Sequence, residues 1–191
     1  MLDKIRGWIF KMRGGLWTLI FLIILFTAKK TSLNQILISL AFIIAGQLWR
    51  CWAVGFIGLY RGENVKAQKL ATTGPYALMR NPLYFGNFLI GFGWALIAGV
   101  YAVIIFILSF YVLYNLAIIP HEEKFLRSKF GIEYESYCQK VQRFFPKKFN
   151  FKDLRGGFNV NILRRSEIHT IISTLIGTLI IIAFSFLTSN P

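Results

Sequence analysis

Five apolar stretches long enough to enter a bilayer, separated by short and mostly basic segments, exclude a water-soluble globule. Ile36–Tyr60 is the clearest, and its 25 residues would span about 37 Å as a helix, enough to cross with tilt. Ile168–Leu187 supplies a further 20 residues. Pro82–Ala98 and Tyr101–Ile119 have only Gly99-Val100 between them, so they are expected to fold back as an antiparallel hairpin. Leu16–Ala28 is shorter. It follows a basic lead-in carrying Lys4, Arg6, Trp8, Lys11 and Arg13, which suits a membrane interface. Lys29-Lys30 stands where a small-residue cleavage site would be needed, so a retained first helix is expected. In lipid the backbone must satisfy its own hydrogen bonds, and helices do so within one segment. The expected fold is all-α and integral to the membrane. It has about five transmembrane helices, one of the connections being a hairpin, and a short helical region on one face that closes a site. One domain over residues 1–191 is the simplest organisation.

Charge decides the orientation. The chain has 22 Lys and Arg against 8 Asp and Glu, a net charge of +14. Residues 1–15 hold 4 of the basic residues, 61–80 hold 4 and 120–167 hold 11. The 29–35 loop holds 2, and Arg50 lies inside a span. The positive-inside rule therefore places the N-terminus, the 61–80 connection and the 120–167 region in the cytoplasm. Anionic lipid is the expected partner of this charge. No groove-reading helix or metal-finger spacing suggests nucleic acid. Cys51 and Cys138 indicate no disulfide framework, and His121 and His169 have no cluster with which to build a metal site. The oligomeric state is left open.

The connections carry the chemistry. Gly74-Pro75 reads as a turn. Asn81-Pro82 reads as a helix start, with Asn81 at the N-cap and Pro82 in the first helical position. Free N–H groups at Asn81–Tyr84 would suit a ligand carboxylate or phosphate, although a membrane helix that merely needs a cap looks the same. Arg50 lies ten residues inside the second span, about 15 Å deep at 1.5 Å per residue. A charge there must face the bundle or a wet cavity. It either positions an anionic substrate group or forms a structural pair. Pro120 is expected to end or bend the fourth span. His121–Phe130 reads as an amphipathic helix with Gly131 at its C-cap, and Ile132–Val141 as another short helix. Neighbouring helical residues point about 100° apart, so Glu122 and Glu123 should not face one ligand together. One can meet a cofactor while the other pairs with a Lys or Arg.

Gly74-Pro75-Tyr76, followed by Arg80-Asn81-Pro82-Leu83-Tyr84-Phe85-Gly86, resembles a block of membrane methyltransferases. These are the isoprenylcysteine carboxyl methyltransferases and their phospholipid-methyltransferase-like relatives. A second block of the same pattern follows in order. It comprises Glu122-Glu123, Phe130-Gly131, Glu133-Tyr134, Tyr137 and Arg143-Phe144-Phe145-Pro146. The resemblance covers about residues 35–146 and leaves the first helix and the fifth span, about 168–187, outside it.

The resemblance implies S-adenosylmethionine as cofactor and methyl transfer to a lipophilic acceptor at the cytoplasmic face. The acceptor would be a prenylcysteine-type carboxylate, a phospholipid amine or another small lipid. By resemblance the cofactor contacts fall on Gln68, Lys69, Leu70, Ala71, Tyr76, Asn81, Pro82, Leu83, Tyr84 and Glu122. Arg50, Arg80, Tyr84 and Glu123 are the candidates for a role in the reaction itself. Asn81 stands where the eukaryotic enzymes have histidine, so an imidazole role does not carry over. Ile118 stands where they have a substrate-binding arginine. Membrane sterol and isoprenoid reductases, which use NADPH, resemble the same half-membrane architecture. A non-catalytic scaffold binding anionic lipid would keep the charges and spans but has no use for the two blocks.

Overall fold

The computed structural model describes residues 1–57, 69–145 and 151–188. Those residues form helices and connections only, with no strand among them. The long helices are α1, Leu2–Phe26; α2, Leu33–Ile57; α4, Pro82–Ala98; and α8, Val160–Leu187. A one-turn helix α3, Pro75–Leu78, precedes α4. After α4 come α5, Val100–Phe110, a π-helical segment, Tyr111–Ile118, and α6, Ile119–Phe130, in one unbroken run. α7, Ile132–Lys140, follows. Among the described residues four helical stretches, including Val100–Phe130 as one, are long and apolar enough to span a membrane, and α4 is a shorter apolar helix.

α2 and α4 make the most intimate pair. A Cβ on Gly46 would lie 2.8 Å from the Gly86 carbonyl oxygen, and one on Gly93 would lie 2.8 Å from that of Ser39. Only glycine permits this approach, as at small-residue interfaces in lipid. The hairpin between α4 and α5 turns on Gly99 alone, whose φ of 112° is open to glycine. Ile24, Ile43, Ala95, Ile97, Phe106 and Ile181 then fill the centre of the bundle.

The structure moves two helix boundaries and narrows a third expectation. The basic lead-in is not separate from the first span, since α1 is continuous from Leu2. Its first turns are held to the α5–α6 run, where Arg6 Nε donates to the Leu116 carbonyl at 3.0 Å and Lys124 pairs with Asp3 at 2.6 Å. Pro120 does not end the helix. Proline removes one hydrogen bond and crowds the carbonyl four residues back. The π-turn just before it widens the backbone there, and the helix runs on to Phe130. The last span starts at Val160 rather than 168. Asn159 caps it, its Oδ1 accepting from the N–H groups of Asn161 at 3.0 Å and Ile162 at 3.3 Å.

That earlier start puts Glu167 inside a helix and fully buried. Arg50, 3% exposed, meets it through Nε to Oε1 at 2.7 Å and Nη2 to Oε2 at 3.1 Å. Gln47 donates to the same carboxylate at 3.2 Å, while Arg50 also donates to Asn87 Oδ1 and to Thr170 Oγ1. Arg50 is thus the cation of a structural pair that locks α8 to α2. Removing one partner from such a pair leaves an uncompensated buried charge, at a cost of about 3–5 kcal/mol. Glu167→Ala is expected to lower the unfolding midpoint in detergent sharply, and the double variant Arg50→Met/Glu167→Leu to recover much of the loss. Asp3→Ala, at an exposed pair, should move it little. Equal midpoints for the Glu167 and Asp3 variants would refute the assignment.

Candidate functional site

The segment from Gly74 to Phe85 is shaped by its backbone. Gly74 has φ 63° and ψ −135°, and a Cβ there would lie 2.6 Å from the Phe56 ring. Its N–H donates to the Asp153 carbonyl at 3.0 Å. After α3 the chain extends through Met79. The N–H groups of Arg80 and Asn81 then donate to the carbonyls of Gln142, at 2.8 Å, and Arg143, at 3.2 Å. From α7, the buried Tyr137 hydroxyl donates to the Tyr76 carbonyl at 2.7 Å. The residues on either side of the hairpin are therefore stitched into one surface.

Glu123, 5% exposed, is the main fastening. Arg143 approaches it with Nε at 3.0 Å and Nη2 at 2.7 Å, and Arg80 Nη2 lies 3.1 Å from Oε1. Both carboxylate oxygens are engaged, so Glu123 serves as a structural anion. The Glu123 hydrogen bonds also hold the Arg143 guanidinium above its ordinary pKa. Glu122, the next residue, points elsewhere and accepts from the Tyr84 hydroxyl at 2.6 Å. The two acids divide as their 100° separation requires, one pairing with arginine and one left for a ligand.

A cavity opens between these parts. Of the residues singled out in the sequence, Lys69, Leu70, Ala71, Tyr76, Asn81, Pro82, Leu83, Tyr84 and Glu122 line it, as do Arg80 and Glu123. Gln68 lies outside the described residues. Arg50 is not at this cavity but in the pair with Glu167. Ile57, Leu126, Tyr134 and Tyr137 complete the lining and were not anticipated as site residues. Tyr134 and Tyr137 sit three apart on α7, the spacing of one helix face, and that was the available signal. Burial, reinforced for Tyr134 by the Glu123 charge, pushes both phenols well above their ordinary pKa, so both stay neutral near pH 7.

The α4 N-terminus offers less than the sequence suggested. Asn81 occupies the N-cap without a side-chain cap, its amide nitrogen lying 3.4 Å from the Arg143 carbonyl. Its N–H is taken by Arg143, and the N–H of Tyr84 by the Asn81 carbonyl at 3.1 Å. Pro82 has none. Among the described residues only the Leu83 N–H of this run has no acceptor. Arg80 Nε is likewise buried without a partner. The cavity thus presents unsatisfied donors near one end, the Glu122 carboxylate, and aromatic and aliphatic walls. That set fits a ligand carrying both a carboxylate and a cation or hydroxyls, together with a flat ring system. Among the described residues no group of three or more His, Cys, Asp or Glu is placed to hold a metal ion.

The phospholipid methyltransferase family profile matches residues 30–133. A nickel-cobalt-cadmium resistance protein, NccN, of Alcaligenes xylosoxydans xylosoxydans is 28% identical over 151 residues, covering 73% of this chain and 67% of that protein. A probable protein-S-isoprenylcysteine O-methyltransferase of Oryza sativa subsp. japonica is 36% identical over 119 residues, covering 57% and 60%. The chicken (Gallus gallus) delta(14)-sterol reductase LBR is 30% identical over 76 residues, covering 38% of this chain and 12% of the reductase. The chain thus spans about two thirds or less of the length of these relatives. No solved structure matches.

Tyr137→Phe removes only the hydroxyl that reaches the Tyr76 carbonyl. A buried acceptor left unpaired costs about 1–3 kcal/mol. The variant is expected to unfold at a lower temperature and to loosen the turn block, read as faster amide exchange at Ala77 and Met79. Unchanged exchange there would show that the α7 contact does not hold the turn.

Proposed function

The chain belongs to the phospholipid methyltransferase family, and from that premise we propose that it transfers a methyl group from S-adenosylmethionine to a lipophilic acceptor at the cytoplasmic face of the membrane. The observation that carries this reading is convergence. Tyr84 and Glu122, 38 residues apart on opposite arms of the hairpin, meet over one cavity beside the shaped turn at Gly74–Tyr76.

The donor set fits the cofactor part by part. The Leu83 N–H and Arg80 Nε are placed for its carboxylate, and the helix N-terminus adds a favourable dipole. Glu122 is suited to its ammonium or ribose hydroxyls. Tyr76, Leu70 and Tyr134 supply an aromatic and apolar pocket for adenine. When bound, S-adenosylmethionine supplies an electrophilic methyl group on a sulfonium. The residues then contribute position and a water-poor setting, in which the acceptor's lone pair can approach in line. Glu123 is committed to Arg80 and Arg143, so it is not assigned a proton. Tyr84 keeps Glu122 oriented from below. The concentration of basic residues in the segments flanking this cavity supports its cytoplasmic placement through the positive-inside rule.

The test is calorimetric binding of S-adenosylmethionine and S-adenosylhomocysteine to detergent-purified protein, with NADPH beside them. Both adenosyl compounds are expected to bind. Glu122→Ala is expected to weaken them by roughly tenfold or more, about 1.4 kcal/mol, with an unchanged unfolding midpoint. Tyr84→Phe, which frees the Glu122 carboxylate to turn, should weaken them less. Failure of both compounds to bind folded protein would overturn the proposal, and binding of NADPH instead would favour a reductase.

A further inference from the structure

Residues 153–159 lead into α8. Among the described residues they are no part of the cavity lining, yet they are bonded to the segments that are. The Asn159 N–H donates to the Gly55 carbonyl at 2.9 Å, close before Ile57 in the chain. The Asp153 carbonyl accepts from the Gly74 N–H at 3.0 Å, close before Tyr76. Ile57 and Tyr76 both line the cavity. One short strap thus ties the end of α2 to the turn before α4.

Two rings and three glycines fill the join. Phe56 and Phe158 meet edge to face, with centroids 5.8 Å apart. A Cβ on Gly55 would lie 2.1 Å from the Phe158 ring. A Cβ on Gly74 would lie 2.6 Å from the Phe56 ring, and one on Gly156 3.0 Å from it. Phe56 is therefore seated between the turn and the strap, and Phe158 lies against the backbone of α2. Rings in contact with backbone cannot slide without overlap, so this packing has one arrangement rather than a range. Gly157, next along, differs, since among the described residues a Cβ there meets nothing within 4 Å. Neither Gly156 nor Gly157 has a positive φ, so the backbone of both is open to alanine. α8 is fastened elsewhere, by the Arg50–Glu167 pair and by Trp94 Nε1 donating to Thr178 Oγ1 at 2.9 Å. Phe158 is itself 42% exposed, which limits its share in folding.

We propose that Phe158 is a positioning residue for the cavity: by seating Phe56 against Gly74 it fixes the distance between the Ile57 wall and the Tyr76 wall, and so sets the affinity for the ligand held between them. A ligand between two walls loses contacts outright when they part by even a fraction of an ångström, because dispersion falls steeply with distance. Phe158 and Gly156 lie beyond the region matched to the family, residues 30–133, while Gly55, Phe56 and Gly74 lie within it. The strap is thus a brace that reaches the shared core from outside. Loosening it weakens binding without removing any group of the lining. Naming the ligand S-adenosylmethionine rests on the methyltransferase reading; the lock itself rests on the packing.

The test compares Phe158→Ala, Phe158→Met, Gly156→Ala and Gly157→Ala in the full chain, purified in detergent. The readouts are calorimetric binding of S-adenosylhomocysteine, amide exchange at Gly74, and the unfolding midpoint. Phe158→Ala empties the notch at Gly55. Gly156→Ala brings a methyl group within 2.7 Å of Thr73 Oγ1 and 3.0 Å of the Phe56 ring, so the turn must shift. Both are expected to weaken binding by roughly tenfold and to speed exchange at Gly74, with the midpoint unchanged. Gly157→Ala should match the unaltered protein in all three. Phe158→Met refills the notch with a flexible apolar chain and should recover most of the affinity. Equal affinities for the Gly156 and Gly157 variants would overturn the proposal, as would full affinity in folded Phe158→Ala. Should Phe158→Ala fail to fold, the Gly156 and Gly157 pair decides. If the unaltered protein binds no adenosyl compound, the methyltransferase reading falls and exchange alone judges the lock. Faster exchange at Gly74 in Gly156→Ala than in Gly157→Ala then sustains it, and equal exchange overturns it.

Discussion

The fastening of Glu123 by Arg80 and Arg143 is the interaction on which the site depends. It joins three segments that are remote in sequence: the turn before α4, the start of α6, and the stretch after α7. Each of the three brings something the cavity needs, and none of them could hold its shape alone. α3 is a single turn, and among the described residues the backbone of the 142–143 segment bonds only to residues 80 and 81. A buried carboxylate with two guanidinium partners can keep such irregular backbone in register, because displacing any member strands a charge. With Glu123 fixed, Glu122 one residue earlier is directed to Tyr84.

A second buried pair serves the membrane-spanning half in the same way. Arg50 and Glu167 tie α8 to α2, and Asn87 extends the contact to Tyr114. Tyr114 is packed on Tyr84, which binds Glu122. A continuous path of hydrogen bonds and ring contacts thus runs from α8 to the edge of the cavity lined by Tyr84 and Glu122. Its members are polar groups in otherwise apolar helices, where an unsatisfied group is expensive, and every link is made. The last helix is therefore part of the frame that sets the orientation of the cavity wall.

Much of this was legible in the sequence because membranes restrict the alternatives. Apolar length fixed the number of spans near five, and the Gly99 joint fixed the hairpin. The turn at Gly74 and the helix start at Pro82 were readable from residues that have few other uses. What escaped was long-range. Nothing local shows that Arg143 will return to Glu123, or that the Asn81 N–H will be taken by a carbonyl 62 residues away, leaving only Leu83 of its run available. The start of α8 lies in a polar stretch, where apolar length gives no sign of a helix. The cap at Asn159 is the local signal there, and a helix begun at Val160 carries Glu167 to Arg50. The π-turn before Pro120 had no sequence mark beyond the proline itself.

A second cavity, in the membrane-spanning part, is divided from the first by the Tyr84 and Tyr114 rings, whose centroids are 4.6 Å apart. This partition explains why tyrosine occupies both positions 84 and 114. One cavity holds the Glu122 carboxylate, while the other is lined largely by apolar residues such as Ile90 and Phe106, so the wall between them has to serve both. A wall of aliphatic side chains would leave the Glu122 carboxylate and the Asn87 amide without partners on the membrane side. A wall of charged ones would strand charge against the apolar lining of the second cavity. Phenol rings meet both demands, since the ring faces pack as hydrocarbon while the hydroxyls bond to Glu122 on one side and Asn87 on the other. The boundary between the two cavities is thereby reduced to a pair of side chains, each held by a residue of the polar path that begins at α8.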